Sequence, residues 1–193
     1  MRKALVIVLT AALLLTYGCS GSKGKLAVGE WETFDDGNDG GSSRIEMVEA
    51  KEQIGGKTYD TITLSGRTTA IDEDGSEYPW GFAGWSLNPN DATLALLKTC
   101  TSVSFKVLGD GKRYTIKLIS SDVSDYAYHE FHFATTEGQV EEITAQLRMF
   151  MQPAWGSPEK LRQENVINLE YQTHEEWRPD NFQVKIFDLR LIP

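Results

Sequence analysis

The segment His129-Glu130-Phe131-His132 sets two imidazoles beside a carboxylate, the side chains of a metal site or an acid–base pair. It lies inside an alternation, Ala127, His129, Phe131 and Phe133 against Tyr126, Tyr128, Glu130 and His132, which is the pattern of a strand. On a strand, residues 129 and 132 point to opposite faces and cannot hold one ion. The two-histidine helix spacing of zinc peptidases is absent, as are the Gly-x-Ser-x-Gly turn and the Gly-Lys-Ser/Thr phosphate loop. With 28 Asp+Glu in the chain, carboxylate pairs arise by chance, and spacing alone picks out no glycosidase pair. The expected reading is therefore a protein that is not an enzyme.

Recognition chemistry is better represented. The outward face of 126–133 offers Tyr126, Tyr128, Glu130 and His132. Flat rings suit the C–H face of a pyranose, and planar polar groups suit its hydroxyls. Outward residues of neighbouring strands would add Arg113, Lys117, Gln146 and Arg148. The same residue types also make ordinary cross-strand packing and surface charge ladders, so composition leaves both readings open. Among the tryptophans, Trp31 reads as core. Trp85 shares a parity with Leu87 and reads as core, which leaves Trp80 on the contact face. Trp155 and Trp177 fall in loop-like stretches near Pro153 and Pro179, as contact residues or as plugs. Asp35-Asp36-Gly37-Asn38-Asp39-Gly40 groups hard oxygen donors in a glycine-rich turn and suits calcium. It equally suits a solvated loop capped by its own side chains. It is not an EF-hand, because the twelfth position from Asp36 is Met47.

These residues must be held by strands. Val103, Phe105 and Val107, then Tyr114, Ile116 and Leu118, alternate with polar neighbours around Gly109-Asp110-Gly111-Lys112, which predicts a hairpin. Alternation also marks strands through Ile62 and Leu64, through Ile143 to Met149, and through Ile167 to Tyr171. In the last strand Phe182, Val184 and Ile186 give way to Phe187, Leu189 and Leu191, a change of parity that demands a bulge near 186–187. Helical pattern is limited to Asp91 to Leu97, capped by Asn90 or Asp91, and a short start at Ser157-Pro158. The expected fold is all-β, a two-sheet antiparallel sandwich with one or two short helical turns.

Composition bounds the rest. The chain has 193 residues and net charge −9, and its head reads as removable. Met1-Arg2-Lys3, the apolar run Ala4 to Thr16, and Tyr17-Gly18-Cys19 have the parts of a secretory signal over 1–18. Cys19 stands where a bacterial lipoprotein signal places its acylated cysteine. Residues 19–28 then read as the lipidated cysteine and a flexible tether, and 29–193 as a single domain. Ser20 after the cysteine favours the outer over the inner membrane, by likeness to such proteins. Cys100, left without a partner, is expected in the core. The acidic balance and the lack of a basic stripe argue against nucleic acid.

Trp31 to Ser43 (WETFDDGNDGGSS), Phe105 to Leu118 (FKVLGDGKRYTIKL), Tyr128 to Phe133 (YHEFHF) and Asn181 to Ile192 (NFQVKIFDLRLI) carry a resemblance in order and spacing. Together they resemble the complex I intermediate-associated protein 30 family, over about Gly29 to Ile192. That family is related to family 11 carbohydrate-binding modules and shares their galactose-binding-like jelly roll. The resemblance implies that fold, and either a glycan or sugar-like ligand or an envelope protein as partner, since the family includes assembly factors as well as binding modules. Jelly rolls of this kind often hold a structural calcium between an early loop and the last strand. That implies a set of Asp35, Asp36, Asn38 and Asp39 with Asp188. The implied function is a membrane-anchored, non-catalytic binding module, or a protein–protein scaffold of the envelope.

Overall fold

A computed structural model describes residues 24–69, 71–72, 74–77, 81–173 and 180–193. Cys19, Trp80 and Trp177 lie outside the described residues. Within them the chain forms β1 (Lys25–Leu26), β2 (Gly29–Asp35), β3 (Arg44–Ile54), β4 (Lys57–Thr68), β5 (Ala83–Pro89), α1 (Asp91–Leu97), β6 (Ser102–Leu108), β7 (Arg113–Ser120), β8 (His129–Ala134), β9 (Val140–Gln146), β10 (Val166–Thr173) and β11 (Asp180–Ile192). One sheet runs β3-β4-β11-β6-β9, with β1 also on β11, and the other runs β2-β5-β10-β7-β8. All strand pairs are antiparallel, as the sequence predicts.

The inward parity of each central strand makes the core. Val103 and Phe105 of β6, Val184 and Ile186 of β11, and Leu64 of β4 face Trp85 and Leu87 of β5, Leu169 and Tyr171 of β10, and Ile116 of β7. Trp85 stacks on Tyr171 at 5.0 Å, and Phe105 meets Tyr171 edge-on at 5.2 Å. Burial of each such side chain stabilises by roughly 1.5–3 kcal/mol. Cys100 is buried as expected, and burial pushes its thiol up to about 11. Asn90 caps α1 through its side chain, which accepts from Thr93 N.

Three expectations about local elements need correction. First, β6 and β7 do not form a hairpin: β6 pairs with β9 and β11, and β7 with β8 and β10. Both strands carry fully buried apolar faces, and these pack across the sandwich rather than edge to edge. The connecting turn keeps its glycine, Gly111 at φ 83°, but Asp110 ties it elsewhere. The Asp110 carboxylate accepts from Lys112 N at 3.1 Å, Tyr114 Oη at 3.0 Å and Gln183 N at 2.9 Å, reaching into β11. Second, no helix starts at Ser157; its N–H donates to the Asp125 side chain at 2.7 Å. Third, β9 ends at Gln146, and Leu147–Met149 is a 3-10 turn that carries the chain off the first sheet. The expected bulge in β11 is present: Ile186 and Phe187 are both buried, the register shifts just after Phe187, and Asp188 takes φ 53°. Lys25 and Leu26, expected in the tether, pair with β11.

Candidate functional site

The second sheet turns one face to the core; on its other face Ser86, Thr115 and Gln172 are themselves buried, Lys117, Glu130 and Glu170 are half-buried, and Glu32 and His132 are exposed. Register defines two rows across that outer face. Glu32, Ser86, Glu170, Lys117 and Glu130 stand side by side from β2 to β8. Beside them run Phe34, Gly84, Gln172, Thr115 and His132. At Gly84 an added Cβ would meet the Phe34 ring at 2.4 Å, so the absence of a side chain there lets the ring lie across the sheet. A flat apolar surface therefore adjoins a polar one.

The polar centre is wired internally. Lys117 Nζ donates to Gln172 Oε1 at 2.5 Å. Thr115 Oγ1 and His132 Nδ1 are 2.9 Å apart, and His132 Nε2 lies 3.3 Å from Glu130 Oε1. Burial raises the pKa of Glu170 above the usual carboxylate range, and the neighbouring Lys117 charge opposes that rise. Burial likewise raises the Tyr128 phenol, helped by the negative charge of Glu170 and then by Tyr126 and Asp125. Tyr126 meets Tyr128 edge-on at 6.4 Å.

The alternation through 126–133 holds. Ala127, His129 and Phe133 are buried, Tyr126 is 76% exposed, and His132 is on the outer face. The strand itself starts only at His129, and Tyr126 sits ahead of it at φ 65°. His129 and His132 do face opposite sides. Arg113 lies at the end of β7 opposite Ala134. Gln146 and Arg148 do not join this face, contrary to expectation. β9 belongs to the other sheet, and the two side chains bond each other, Arg148 Nε to Gln146 Oε1 at 2.7 Å. Parity reveals which face a residue takes within its strand, not which strands are neighbours.

Trp155 is 68% exposed on a loop fixed beside β8. Met151 and Glu130 exchange backbone bonds at 3.0 Å each way. Asp125 accepts from Ser157 N and from Ala127 N, and these two donors hold its carboxyl below the usual range. An added Cβ at Gly156 would come within 2.0 Å of Ala127 Cβ, which shows how tightly the loop seats. Tyr126, Met151 (73% exposed) and Trp155 are all presented on these joined segments.

Sequence reasoning missed Glu170, Gln172, Ser86 and Phe34. A signal existed for the first two, which alternate with Leu169 and Tyr171. Their importance comes from β10 being the middle strand of the sheet, which alternation does not disclose.

The expected calcium set is not brought together. Asp36 is fully buried, and its carboxylate accepts from Ser43 N at 2.8 Å, Ser43 Oγ at 2.6 Å and Phe82 N at 3.0 Å. Those donors occupy the oxygens a cation would need. Asp35 accepts from Gly37 N. Gly81 abuts both Asp36 and Thr69, and Thr69 follows Thr68, the partner of Asp180. Asp188 is eight residues further along β11, roughly 26 Å at strand rise. Its carboxylate is held instead by Lys106 Nζ at 2.9 Å and Arg190 Nε at 2.8 Å. Asp188 and the loop of Asp36, Asn38 and Asp39 cannot share an ion, and among the described residues no cluster of three or more metal-ligating side chains occurs.

Comparison with known proteins agrees with the architecture. Residues 22–186 match the model of the Complex I intermediate-associated protein 30 family. The chain belongs to that family. No curated protein sequence matches this family member. Among solved structures it is similar to the family 11 carbohydrate-binding module of the cellulosomal cellulase Lic26A-Cel5E of Clostridium thermocellum. The identity is 14%, the TM-score 0.57, and 88% of this chain and 89% of that one are covered. At that identity the likeness establishes the jelly-roll sandwich alone. An exo-beta-agarase aligns at 13% identity and TM-score 0.48, over 83% of this chain and 25% of that one. A CBM28 module specific for non-crystalline cellulose aligns at 11% and 0.41, over 75% and 80%.

Proposed function

We propose that this member of the Complex I intermediate-associated protein 30 family is a non-catalytic binding module that takes a neutral glycan on the outer face of its second sheet. The observation that carries the reading is the row Glu170, Lys117 and Glu130 with Gln172, Thr115 and His132 beside it, with the Phe34 ring at the β2 end and Tyr128 directly ahead of β8. Ring faces take sugar C–H groups, and the half-buried and exposed members of the polar row, Glu170, Lys117, Glu130 and His132, take hydroxyls as donors and acceptors, braced from below by the buried Gln172 and Thr115. Glu30, Glu32, Glu130 and Glu170 all stand on this face, so an acidic glycan would meet like charge. The likeness to a carbohydrate-binding module supports the reading through the fold.

Affinity electrophoresis through neutral polysaccharides tests it. Tyr128→Ala with Glu170→Gln should weaken retardation at least about tenfold, ~1.4 kcal/mol. Gln146→Ala, on the other sheet, should leave it unchanged. Unaltered retardation in the double variant removes the face from consideration.

The same proposal places the module at the membrane through lipid on Cys19, in the bacterial envelope and on the outer membrane. Metabolic labelling with a fatty-acid analogue should mark the protein and not its Cys19→Ser variant. A second reading, an envelope protein as partner, is favoured by the exposure of Tyr126, Met151 and Trp155, residue types enriched at interfaces. A stable partner recovered from membrane extracts by the protein but not by Trp155→Ala with Met151→Ala would support it.

A further inference from the structure

Beside β8, on the flank where the chain leaves β9, lies a recess of about 390 Å³. Its apolar lining is Leu147 and Phe150, both buried, with the half-buried Leu161. Arg148 and Lys160 stand at its edge, and no Asp or Glu is among the described residues that line it. On a chain of net charge −9 such an acid-free, doubly cationic recess is unusual. Neither cation makes an ion pair among the described residues. Arg148 is braced, since its Nε donates to Gln146 Oε1. The wall is braced too, because Gln163 Nε2 donates to the carbonyls of Leu97 at 2.8 Å and Cys100 at 2.7 Å.

The recess also contains a polar group left unsatisfied. His129 lines it, is only 6% exposed, and has no hydrogen-bond partner at Nδ1. Burial lowers the pKa of the ring, and a backbone hydrogen bond with Glu159 opposes that fall. A buried, unpaired ring nitrogen is costly in a finished structure, and one that opens on a recess is placed to be completed by a ligand there.

We propose that this recess is a second ligand site, selective for a carboxylate carried on a sugar-sized ring. The guanidinium of Arg148 offers a planar fork to the carboxylate, and Lys160 adds a point charge. Leu147, Phe150 and Leu161 receive the apolar face of the ring. The volume lies at the small end of ligand pockets and accommodates a single ring rather than a chain. The site is independent of the outer sheet face: that face is rich in carboxylates, this recess has none, and the two take opposite classes of sugar.

The test is a titration of leucine-methyl- and histidine-labelled protein by NMR at constant ionic strength, with sodium glucuronate, glucose and sodium sulfate as separate probes. Glucuronate should shift the Leu147 and Leu161 methyls and the His129 ring saturably. Glucose should shift none of them, and sulfate should act only weakly. Lys160→Ala and Arg148→Ala change surface side chains, and each should raise the glucuronate Kd at least about tenfold with the remaining spectrum unchanged. Glu170→Gln should leave this titration as it was, which separates the recess from the sheet face. Equal shifts with glucose, full occupancy by sulfate alone, or glucuronate binding that survives both alanine changes would each overturn the proposal.

Discussion

Asp36 offers the sharpest stability test, because one buried carboxylate ties four stretches of chain. It directly follows β2, accepts from Ser43 at the entry to β3, and accepts from Phe82 at the entry to β5. Ser43 Oγ in turn accepts from Thr69 N, at the exit of β4. Asp36→Ala strands two backbone N–H groups and one hydroxyl, those of Ser43 buried and that of Phe82 half-buried. At about 1–3 kcal/mol for each buried unsatisfied group, with some relaxation, the loss should be about 3–5 kcal/mol. For a domain of this size that lowers Tm by roughly 10 °C or more. Asp36→Asn keeps one oxygen for two donors but turns an amide N–H₂ toward a third, so it should cost about 2 kcal/mol. Urea unfolding followed by tryptophan fluorescence reads both values. The ordering matters as much as the size: wild type above Asn above Ala, with the same spacing whether calcium or a chelator is present. A loss below about 1 kcal/mol for Ala, or a calcium-dependent rise in wild-type stability that disappears in Asp36→Asn, would refute the view that protein donors satisfy this carboxylate.

Other consequences are more quickly stated. Glu170 has its folded pKa raised by burial, so its contribution to stability is fully present below the unfolded value and is lost as pH rises through the folded one. Glu170→Gln should therefore stabilise the protein at neutral pH while weakening glycan binding, and the gain should shrink on acidification; a gain independent of pH would contradict the assignment. Cys100, buried and with its thiol pushed up to about 11, should resist a thiol reagent in the native state and react only on unfolding. Gly109→Ala should cost about 2–3 kcal/mol in chemical denaturation, because its Cβ would fall 2.1 Å from Thr135 Cβ. Tyr114→Phe should cost about 1–2 kcal/mol by the same measurement, since it takes one donor from the Asp110 carboxylate that pins the β6–β7 turn to β11.

Alternation disclosed the central strands β4, β6, β7, β10 and β11 and the edge strands β8 and β9, because each sheet buries one face, and a face is what period two encodes; the largely exposed β3 went unread. It sent Tyr128 outward and Phe133 inward even though the strand is shorter than the pattern. It misjudged Gly109 to Lys112 because the two apolar stretches of a hairpin and those of a turn between layers alternate identically; the difference lies in Asp110 reaching Gln183, seventy-three residues away. The same limit explains the site. Gln146 ends β9, which pairs with β6 in the other sheet, and Arg148 follows in the 3-10 turn, so Arg148 borders the recess beside His129 and neither joins the row containing Glu130. Glu170 has no local mark beyond its parity, and becomes central only because β10 lies between β5 and β7. The asymmetry has a physical root. A side chain's direction is fixed by its own backbone, whereas its neighbours are fixed by how distant strands share one core. The chemistry of a sheet-face site depends on the second. Functional residues on such folds are therefore best sought on the middle strands, at the outward parity opposite the largest core rings, which is where Glu170 and Gln172 flank Tyr171.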